Sequence, residues 1–281
     1  MVGPEVNDWE GWGHISEGIQ AILSYQGERY GIPSGTDVRQ IFYRKDLFEQ
    51  AGIALPWQPT SWAELLDTAR TLKEAGIEIP LQVNAGTAMG EATTMQGYFM
   101  VLLGAGHHLY DFDDGKWIIK SPGILDTLNF YKTVYVDEGL GDARMQLLQD
   151  GRNRSFVGFR DGQIAMLVEG DWFWRSVIAP GSETAVENRN EIVGWAMMPA
   201  KEPGAGYRGQ DFVSISGGTG WLINPNTPHP KEAWAFLSYM SGRDQVRAFE
   251  LIQPRISFRD DVQVAGDPVM TAMASALLQY S

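Results

Sequence analysis

The apolar pattern of residues 61 to 75 predicts an amphipathic helix. Ser61 stands at the N-cap position, and Glu64 three residues later completes a capping box. Gly76 is a residue type that commonly ends a helix. The residues predicted to share the apolar face are Trp62, Leu65, Leu66, Ala69 and Leu72.

Strand patterns alternate with this helical pattern. Residues 77 to 83 predict a strand in which Pro80 indicates an edge position or a strand start. Residues 163 to 168 (QIAMLV) are apolar from Ile164 onward, which is typical of a buried strand. A pair of strands is predicted at residues 212 to 215 and 220 to 223. The alternation of helices and strands favours an α/β architecture.

A second amphipathic helix is predicted between residue 122 and Gly139. Ser121 stands at its N-cap, and Pro122 occupies the first helical position, where proline is favoured. The residues predicted to share one face are Leu125, Leu128, Tyr131 and Tyr135. Helices at residues 230 to 240, 243 to 251 and 267 to 280 are predicted to follow.

Composition and charge narrow the possible functions. The chain has 281 residues, 44% of them hydrophobic, and can bury a substantial core. A formal net charge of −13 disfavours binding to nucleic acid and to anionic lipid, which both attract Lys and Arg. The sequence has no cysteine, which excludes disulfides and thiolate metal sites. It has no apolar run long enough to span a membrane and no signal-peptide pattern, so we expect no membrane insertion by this chain.

Two motifs suggest cofactor chemistry but fit it poorly. Residues 204 to 209 (GAGYRG) match a dinucleotide-binding pattern, which requires a helix directly afterwards. Because a strand is predicted there instead, we interpret this segment as a loop. His107 and His108 are adjacent, so on an extended segment their side chains point to opposite faces. We therefore predict no cofactor and no metal site.

The residues from 169 to 174 carry the strongest candidate chemistry. Glu169 and Asp171 are paired carboxylates, as glycoside hydrolysis requires, although Asp171 also fits a helix cap and Glu169 a solvated strand-end charge. Trp172, Phe173 and Trp174 follow where a strand is predicted to turn into a helix. Sugar rings pack their C–H faces on aromatic planes, and three consecutive aromatic residues cannot all face one core.

Four segments, in order, resemble the extracellular solute-binding protein family 1, which includes maltose-binding proteins. Residues 30 to 53 (YGIPSGTDVRQIFYRKDLFEQAGI) and 59 to 76 (PTSWAELLDTARTLKEAG) carry the first part of the resemblance. Residues 159 to 172 (FRDGQIAMLVEGDW) resemble a family stretch that ends in a ligand-stacking tryptophan. Residues 230 to 240 (PKEAWAFLSYM) resemble a late helix of the family.

The resemblance implies a periplasmic-binding-protein-like (type II) fold of two α/β lobes that close by hinge bending. In family terms, residues 1–36 and 213–252 are the remainder of an incomplete N-terminal lobe. Residues 37–212 and 253–281 then form the C-terminal lobe.

The resemblance also implies a set of ligand-binding residues. Asp37 matches an acidic position that accepts hydrogen bonds from sugar hydroxyls, and Trp172 matches the stacking aromatic. Gly217 and Gly218 match a stretch of small residues where the chain crosses back between lobes. The remaining candidates, all close to these positions, are Arg39, Glu91, Trp174 and Arg255.

The function implied is capture of a sugar in a cleft between the lobes for an ABC importer, without catalysis. The implied partners are a small-molecule sugar and the permease subunits, and the implied state is a monomer in the periplasm or outside the cell, with a lipoprotein anchor compatible. Two alternatives stay open: a glycoside-active enzyme using Glu169 or Asp171 with Asp37, and a sensory or scaffold module that binds a protein.

Overall fold

The computed structural model describes residues 4 to 90, 94 to 215, 218 to 262 and 267 to 280. The strands within these ranges are β1 (Ser24–Tyr25), β2 (Glu28–Arg29), β3 (Gly31–Thr36), β4 (Arg39–Arg44), β5 (Ile79–Gln82), β6 (Tyr110–Asp111), β7 (Lys116–Trp117), β8 (Ile164–Gly170), β9 (Val193–Ala196), β10 (Met198–Pro199), β11 (Phe212–Val213) and β12 (Gly218–Leu222). The α-helices are α1 (Glu17–Ile22), α2 (Lys45–Gln50), α3 (Trp62–Glu74), α4 (Met100–Gly104), α5 (Pro122–Lys132), α6 (Gly151–Arg160), α7 (Arg189–Ile192), α8 (Pro230–Met240), α9 (Arg243–Ile252) and α10 (Pro268–Tyr280). Short 3-10 segments are Pro4–Asn7, Glu10–His14, Thr87–Met89 and Ala143–Leu147, and π-helical segments are Met95–Phe99, Thr133–Asp137 and Phe173–Val177.

The chain forms two compact units. Unit 1 comprises Met1–Val38 and Ser216–Ser275, and unit 2 comprises Arg39–Ile215 and Ala276–Ser281. The chain passes from one unit to the other within a few residues of the divisions expected after residues 36 and 212. The last segment differs from the expectation, which grouped residues 253–281 with the second part. Phe258 and Val262 pack in the core of unit 1, so residues 253 to 275 belong with that unit.

A four-stranded mixed sheet in the order β5-β8-β4-β9 is the centre of unit 2. Strand β8 pairs in parallel with β5 and antiparallel with β4, and β9 pairs antiparallel with β4. Every residue of β4 and β8 is buried, and for β8 the apolar residues 164 to 168 predict this. Pro80 lies in β5 at the edge of the sheet, where a residue without an N–H group removes no ladder bond.

Helix α3 confirms the amphipathic pattern of residues 61 to 75. The Ser61 side chain accepts a hydrogen bond from the Glu64 backbone N–H at 3.2 Å. The Glu64 carboxylate accepts a hydrogen bond from the Thr60 N–H at 2.7 Å. In the usual capping box the donor is the N–H of the N-cap residue, here Ser61, so this bond is shifted by one residue. The side chains that α3 buries are Trp62, Leu65, Ala69 and Leu72. Gly76 ends the helical region with a φ of +89°, which favours glycine.

The face predicted for the helical residues from 122 to 139 is half right, because Tyr131 and Tyr135 pack against the core of unit 2 but the two leucines do not. Leu125 and Leu128 are 60% and 54% exposed, and the buried positions near them are Gly123, Thr127 and Phe130. Gly123 lies so close to His107 that an added Cβ atom would be 2.3 Å from the His107 ring. The small residues of α5 therefore face the protein because they allow this close approach, and the two leucines face solvent.

Unit 1 is built around the antiparallel pair β3 and β12. Strands predicted at residues 212 to 215 and 220 to 223 do not pair with each other, because β11 pairs with β10 in unit 2 and β12 pairs with β3 in unit 1. The buried apolar core of unit 1 consists of Val6, Trp12, Ile15, Ile32, Ile223, Leu237, Val246, Phe258 and Val262. Among the helices described, none has the length and apolar character that crossing a membrane requires.

Candidate functional site

Trp172 is held at the end of strand β8 by two arginines. The guanidinium carbon of Arg39 lies 5.1 Å from the centre of the Trp172 ring, and that of Arg152 lies 5.4 Å from it. Arg39 begins β4 and pairs in register with Gly170, two residues before the tryptophan. Contacts of this kind stabilise an aromatic ring by about 0.5 to 2 kcal/mol each. The indole remains half-buried, so part of it is accessible to a ligand.

The other two aromatic residues of this run belong to the core. Phe173 is fully buried, and its ring centre lies 5.1 Å from that of Phe42. Trp174 is 2% exposed, with the Arg189 guanidinium 4.4 Å from the centre of its ring. Arg189 also donates a hydrogen bond to the Trp174 carbonyl oxygen. A side chain with so little exposure offers no face to a ligand, so Trp174 does not fit the ligand-binding role implied by the sequence.

Glu169 and Asp171 are buried and paired with arginines. Arg152 donates two hydrogen bonds to the Glu169 carboxylate, at 2.9 and 2.8 Å, and Arg175 donates one to Asp171 at 3.0 Å. The Glu169 side chain is 1% exposed and that of Asp171 is fully buried. A glycosidase needs two carboxyl groups that reach the scissile bond from solvent. Neither of these does, and the interpretation of Glu169 as a solvated strand-end charge is also wrong.

Arg39 joins the two segments of unit 2 through which the chain enters and leaves it. Its backbone N–H donates to the Ser214 hydroxyl at 3.0 Å, and its Nη1 donates to the Ile215 carbonyl oxygen at 2.9 Å. Because the same guanidinium packs on Trp172, the position of the indole depends on the geometry of these two segments.

The other candidate residues that can be placed lie in unit 1, around the end of β3. Gly218 begins β12 and pairs with Thr36. The Arg255 Nη1 atom lies 3.4 Å from the position that a Cβ atom would take on Gly35. Asp37 follows β3 directly and is half-buried. The structure therefore brings Gly218 and Arg255 to the strand end that leads into Asp37.

Two further candidates, Glu91 and Gly217, lie outside the described residues. The described candidates thus form two groups. Asp37, Gly218 and Arg255 lie in unit 1, and Arg39 and Trp172 lie in unit 2 with the buried Trp174.

The histidines that suggested metal chemistry take part in packing. His107 lies against Gly123, and His108 makes ring contacts with Phe99, Phe112 and Tyr207. Partial burial lowers the pKa of His108.

A closer group of possible ligand atoms occurs in unit 1. Those of His14, Asp260 and Asp261 lie within 4.8 Å of one another. Arg259 donates two hydrogen bonds to Asp261, both at 2.8 Å, so part of the negative charge of the group is already compensated.

Two surface hollows of unit 2 lie apart from the candidate residues. One, of about 570 Å³, is lined in part by Gly158 and Gln163, and another, of about 390 Å³, lies beside Trp57 and Thr68. Gln163 directly precedes β8, whereas Trp172 follows its other end. These hollows therefore belong to other parts of the surface.

No sequence pattern pointed to Glu250, the one acid among the described residues whose pKa rises to about 7. The residue is 1% exposed on helix α9, and its Oε2 atom has no hydrogen-bond partner in the described structure. Burial raises the pKa from 4.5, and a hydrogen bond with Ser257 and the charge of Arg255 counteract part of the increase.

This pKa predicts a stability that falls as pH rises from about 4.5 to about 7. Between these values the folded state binds the Glu250 proton more tightly than the unfolded state does, so deprotonation favours unfolding. We expect Glu250→Gln to unfold at nearly the same temperature as the wild type at pH 4.5. At pH 8 the variant is expected to be more stable by about 3 kcal/mol, because a pKa raised from 4.5 to about 7 corresponds to about 1.4 kcal/mol for each pKa unit. Thermal unfolding of both proteins across this range measures the difference, and a constant difference would contradict the assignment.

Comparison with known proteins identifies similar binding proteins, both by a family model and by individual sequences. The model of a family described as bacterial extracellular solute-binding protein matches residues 1 to 247. A binding protein of Brucella abortus (strain 2308) is 28% identical over 231 residues, covering 80% of this chain and 50% of that protein. The lactose-binding protein of Rhizobium radiobacter is 22% identical over 226 residues, covering 79% of this chain and 48% of that protein. The chain spans about half the length of these curated relatives.

A solved structure confirms the fold class. An ABC transporter solute-binding protein from Thermotoga lettingae, bound with alpha-D-tagatose, matches with a TM-score of 0.76 and 24% identity. The match covers 97% of this chain and 67% of that one. The fold is therefore the periplasmic-binding-protein-like (type II) α/β fold that the sequence predicts.

Proposed function

Because the chain belongs to the family of bacterial extracellular solute-binding proteins, we propose that it captures a carbohydrate as the substrate-binding component of an ABC importer. The observation that carries the proposal is the half-buried Trp172, fixed by Arg39 and Arg152 at the end of β8. The names of the lactose-binding relative and of the tagatose-bound structure support a sugar as the ligand class.

The chemistry of this part of unit 2 fits a sugar. An indole presents an apolar plane to the C–H groups of a sugar ring, and guanidinium N–H groups beside it can donate hydrogen bonds to hydroxyl oxygens. Trp172 is therefore the proposed stacking residue and Arg39 a proposed hydrogen-bond donor. In unit 1, Asp37 is the proposed acceptor for sugar hydroxyls. Glu91, Gly217, Gly218 and Arg255 remain proposed contributors to ligand binding.

The proposed function is binding of the solute without catalysis, and the family description and the name of the lactose-binding relative support it. The proposed partners are a sugar and the permease subunits of an importer, and the proposed location is the periplasm or the cell exterior. A monomeric state and, where an anchor is present, a lipoprotein form are part of the same proposal.

Trp172→Ala is expected to weaken sugar binding by roughly 30-fold. Losing the contact between one sugar face and the indole removes about 100 Å² of apolar burial, which is about 2 kcal/mol. A thermal-shift screen of mono- and oligosaccharides that includes lactose and tagatose selects the sugar, because only a solute that prefers the folded state raises the unfolding temperature. Calorimetric titration with the selected sugar then compares the wild type with the variant.

The matched control is Trp117→Ala. Trp117 lies in the β6–β7 hairpin of the same unit and is 75% exposed, so its removal is expected to leave the affinity unchanged. Equal affinities of the wild type and Trp172→Ala would contradict the stacking role. A screen in which no sugar raises the unfolding temperature would contradict carbohydrate capture by this chain.

A further inference from the structure

We propose that Gly170 is a positioning residue of the sugar site, because glycine has no side chain and so leaves the space in which the Trp172 indole packs. This inference rests on the proposed function, since it assigns the position of the ring on which the sugar would stack.

The distances around Gly170 show why a side chain does not fit there. A Cβ atom on Gly170 would lie 1.9 Å from Cζ3, 2.1 Å from Cη2 and 2.3 Å from Cε3 of Trp172. Carbon atoms in contact are normally about 3.5 to 4.0 Å apart. The six-membered ring of the indole therefore lies directly over the Gly170 backbone, and even a methyl group would displace it.

The backbone gives no other reason for glycine at this position. Gly170 does not have the positive φ that requires glycine in turns, and it ends a strand whose other six residues all carry side chains. Glycine in a buried strand costs stability, because it provides no side chain for packing. At Gly170 the absence of a side chain lowers the stability of the strand but allows the Trp172 ring to approach it.

Residues of three elements contact the Trp172 ring. Strand β8 supplies the Gly170 backbone against which the ring packs, β4 supplies the Arg39 guanidinium, and α6 supplies that of Arg152. Arg39 is the register partner of Gly170, so the Gly170 backbone and the Arg39 guanidinium belong to neighbouring strands. The indole is therefore fixed before a ligand arrives, and binding does not have to order it. Alanine at position 170 would force the ring off the strand and away from both cations.

The first test needs no ligand. The protein is labelled with 5-fluorotryptophan, and the ¹⁹F signal of Trp172 is assigned from its loss in Trp172→Phe. Gly170→Ala is expected to move this signal. The matched control is Gly194→Ala in β9, where an added Cβ would lie 2.3 Å from the Tyr43 ring. That variant strains an aromatic contact of the same sheet without touching Trp172, so it is expected to leave the Trp172 signal in place.

The second test is a double-mutant cycle on thermal stability. If the clash is with the indole, Trp172→Ala removes it, so Gly170→Ala combined with Trp172→Ala is expected to unfold at a higher temperature than Gly170→Ala alone. This comparison remains decisive when the single variant is only marginally folded. A double variant that is no more stable than Gly170→Ala would overturn the proposal, as would an unmoved ¹⁹F signal.

The third test uses lactose and tagatose as probes. Gly170→Ala is expected to weaken binding of whichever probe binds by roughly tenfold in the wild-type background and not at all in the Trp172→Ala background. The same loss in both backgrounds would mean that Gly170 does not act through the indole. If neither sugar binds the wild type, the carbohydrate proposal fails for these probes, and the ¹⁹F and stability tests still decide the role of Gly170.

Discussion

Trp174→Ala is expected to lower the free energy of unfolding by about 3 to 5 kcal/mol, the usual range when a fully buried tryptophan is truncated. Trp174 is 2% exposed and is among the largest fully buried side chains of the described structure. Its removal also deprives Arg189 of the ring that its guanidinium covers. Urea unfolding followed by circular dichroism measures the change.

Two tryptophans of the same unit serve as comparisons for this prediction. Trp117→Ala is expected to change stability by less than about 0.5 kcal/mol, because the side chain is 75% exposed. Trp172→Ala is expected to fall between the two, because that indole is half-buried. If Trp174→Ala were as stable as Trp117→Ala, the buried position assigned to Trp174 would be wrong.

The contrast between Trp172 and Trp174 shows where sequence reasoning reaches its limit. The sequence predicts that residues 172 to 174 cannot all face one core, and this is confirmed. Residues two positions apart on a helical turn point in nearly opposite directions, so one of the two indoles must face outward. The pattern cannot say which one does. That choice depends on Arg39 and Arg152, which come from distant parts of the chain.

Local patterns correctly predicted the elements whose caps and buried faces are set by residues within the element itself. Helix α3 carries its cap and its apolar face within one stretch of sequence, and β8 is apolar from Ile164 to Val168. Helix α5 was predicted as an element, but Leu125 and Leu128 were wrongly placed on its buried face, because the approach of His107 to Gly123 selects a small-residue side for burial there. No periodicity within α5 contains that information.

The site residues that the sequence missed are those that act through tertiary contacts. Arg152 lies 17 positions before Glu169 and meets it only because α6 packs beside β8. Gly170 looks like an ordinary strand end until the position of the Trp172 ring is known. The assignment of residues 253 to 275 to unit 1 has the same origin, since their apolar side chains fit either core by composition.

Arg152→Met is expected to lower the free energy of unfolding by about 3 to 5 kcal/mol. The substitution leaves the Glu169 carboxylate, which is 1% exposed, without the guanidinium that donates two hydrogen bonds to it. A buried charge without its partner carries the full loss of hydration with no compensating attraction. The variant also loses a cation from the Trp172 ring, so the ¹⁹F signal of that residue is expected to broaden or move.

Two controls separate the buried pair from a general effect of changing an arginine. Arg154→Met breaks a pair with Asp150, the residue directly before the same helix. Those side chains are 59% and 56% exposed, so the expected loss is below about 1 kcal/mol and decreases with salt. Arg152→Met combined with Glu169→Met removes both charges and is expected to recover most of the lost stability, since apolar side chains of similar volume replace a buried pair at little net cost. If the double variant were as unstable as Arg152→Met alone, the loss would arise from packing around α6, and the stability assigned to the Arg152–Glu169 pair would be wrong.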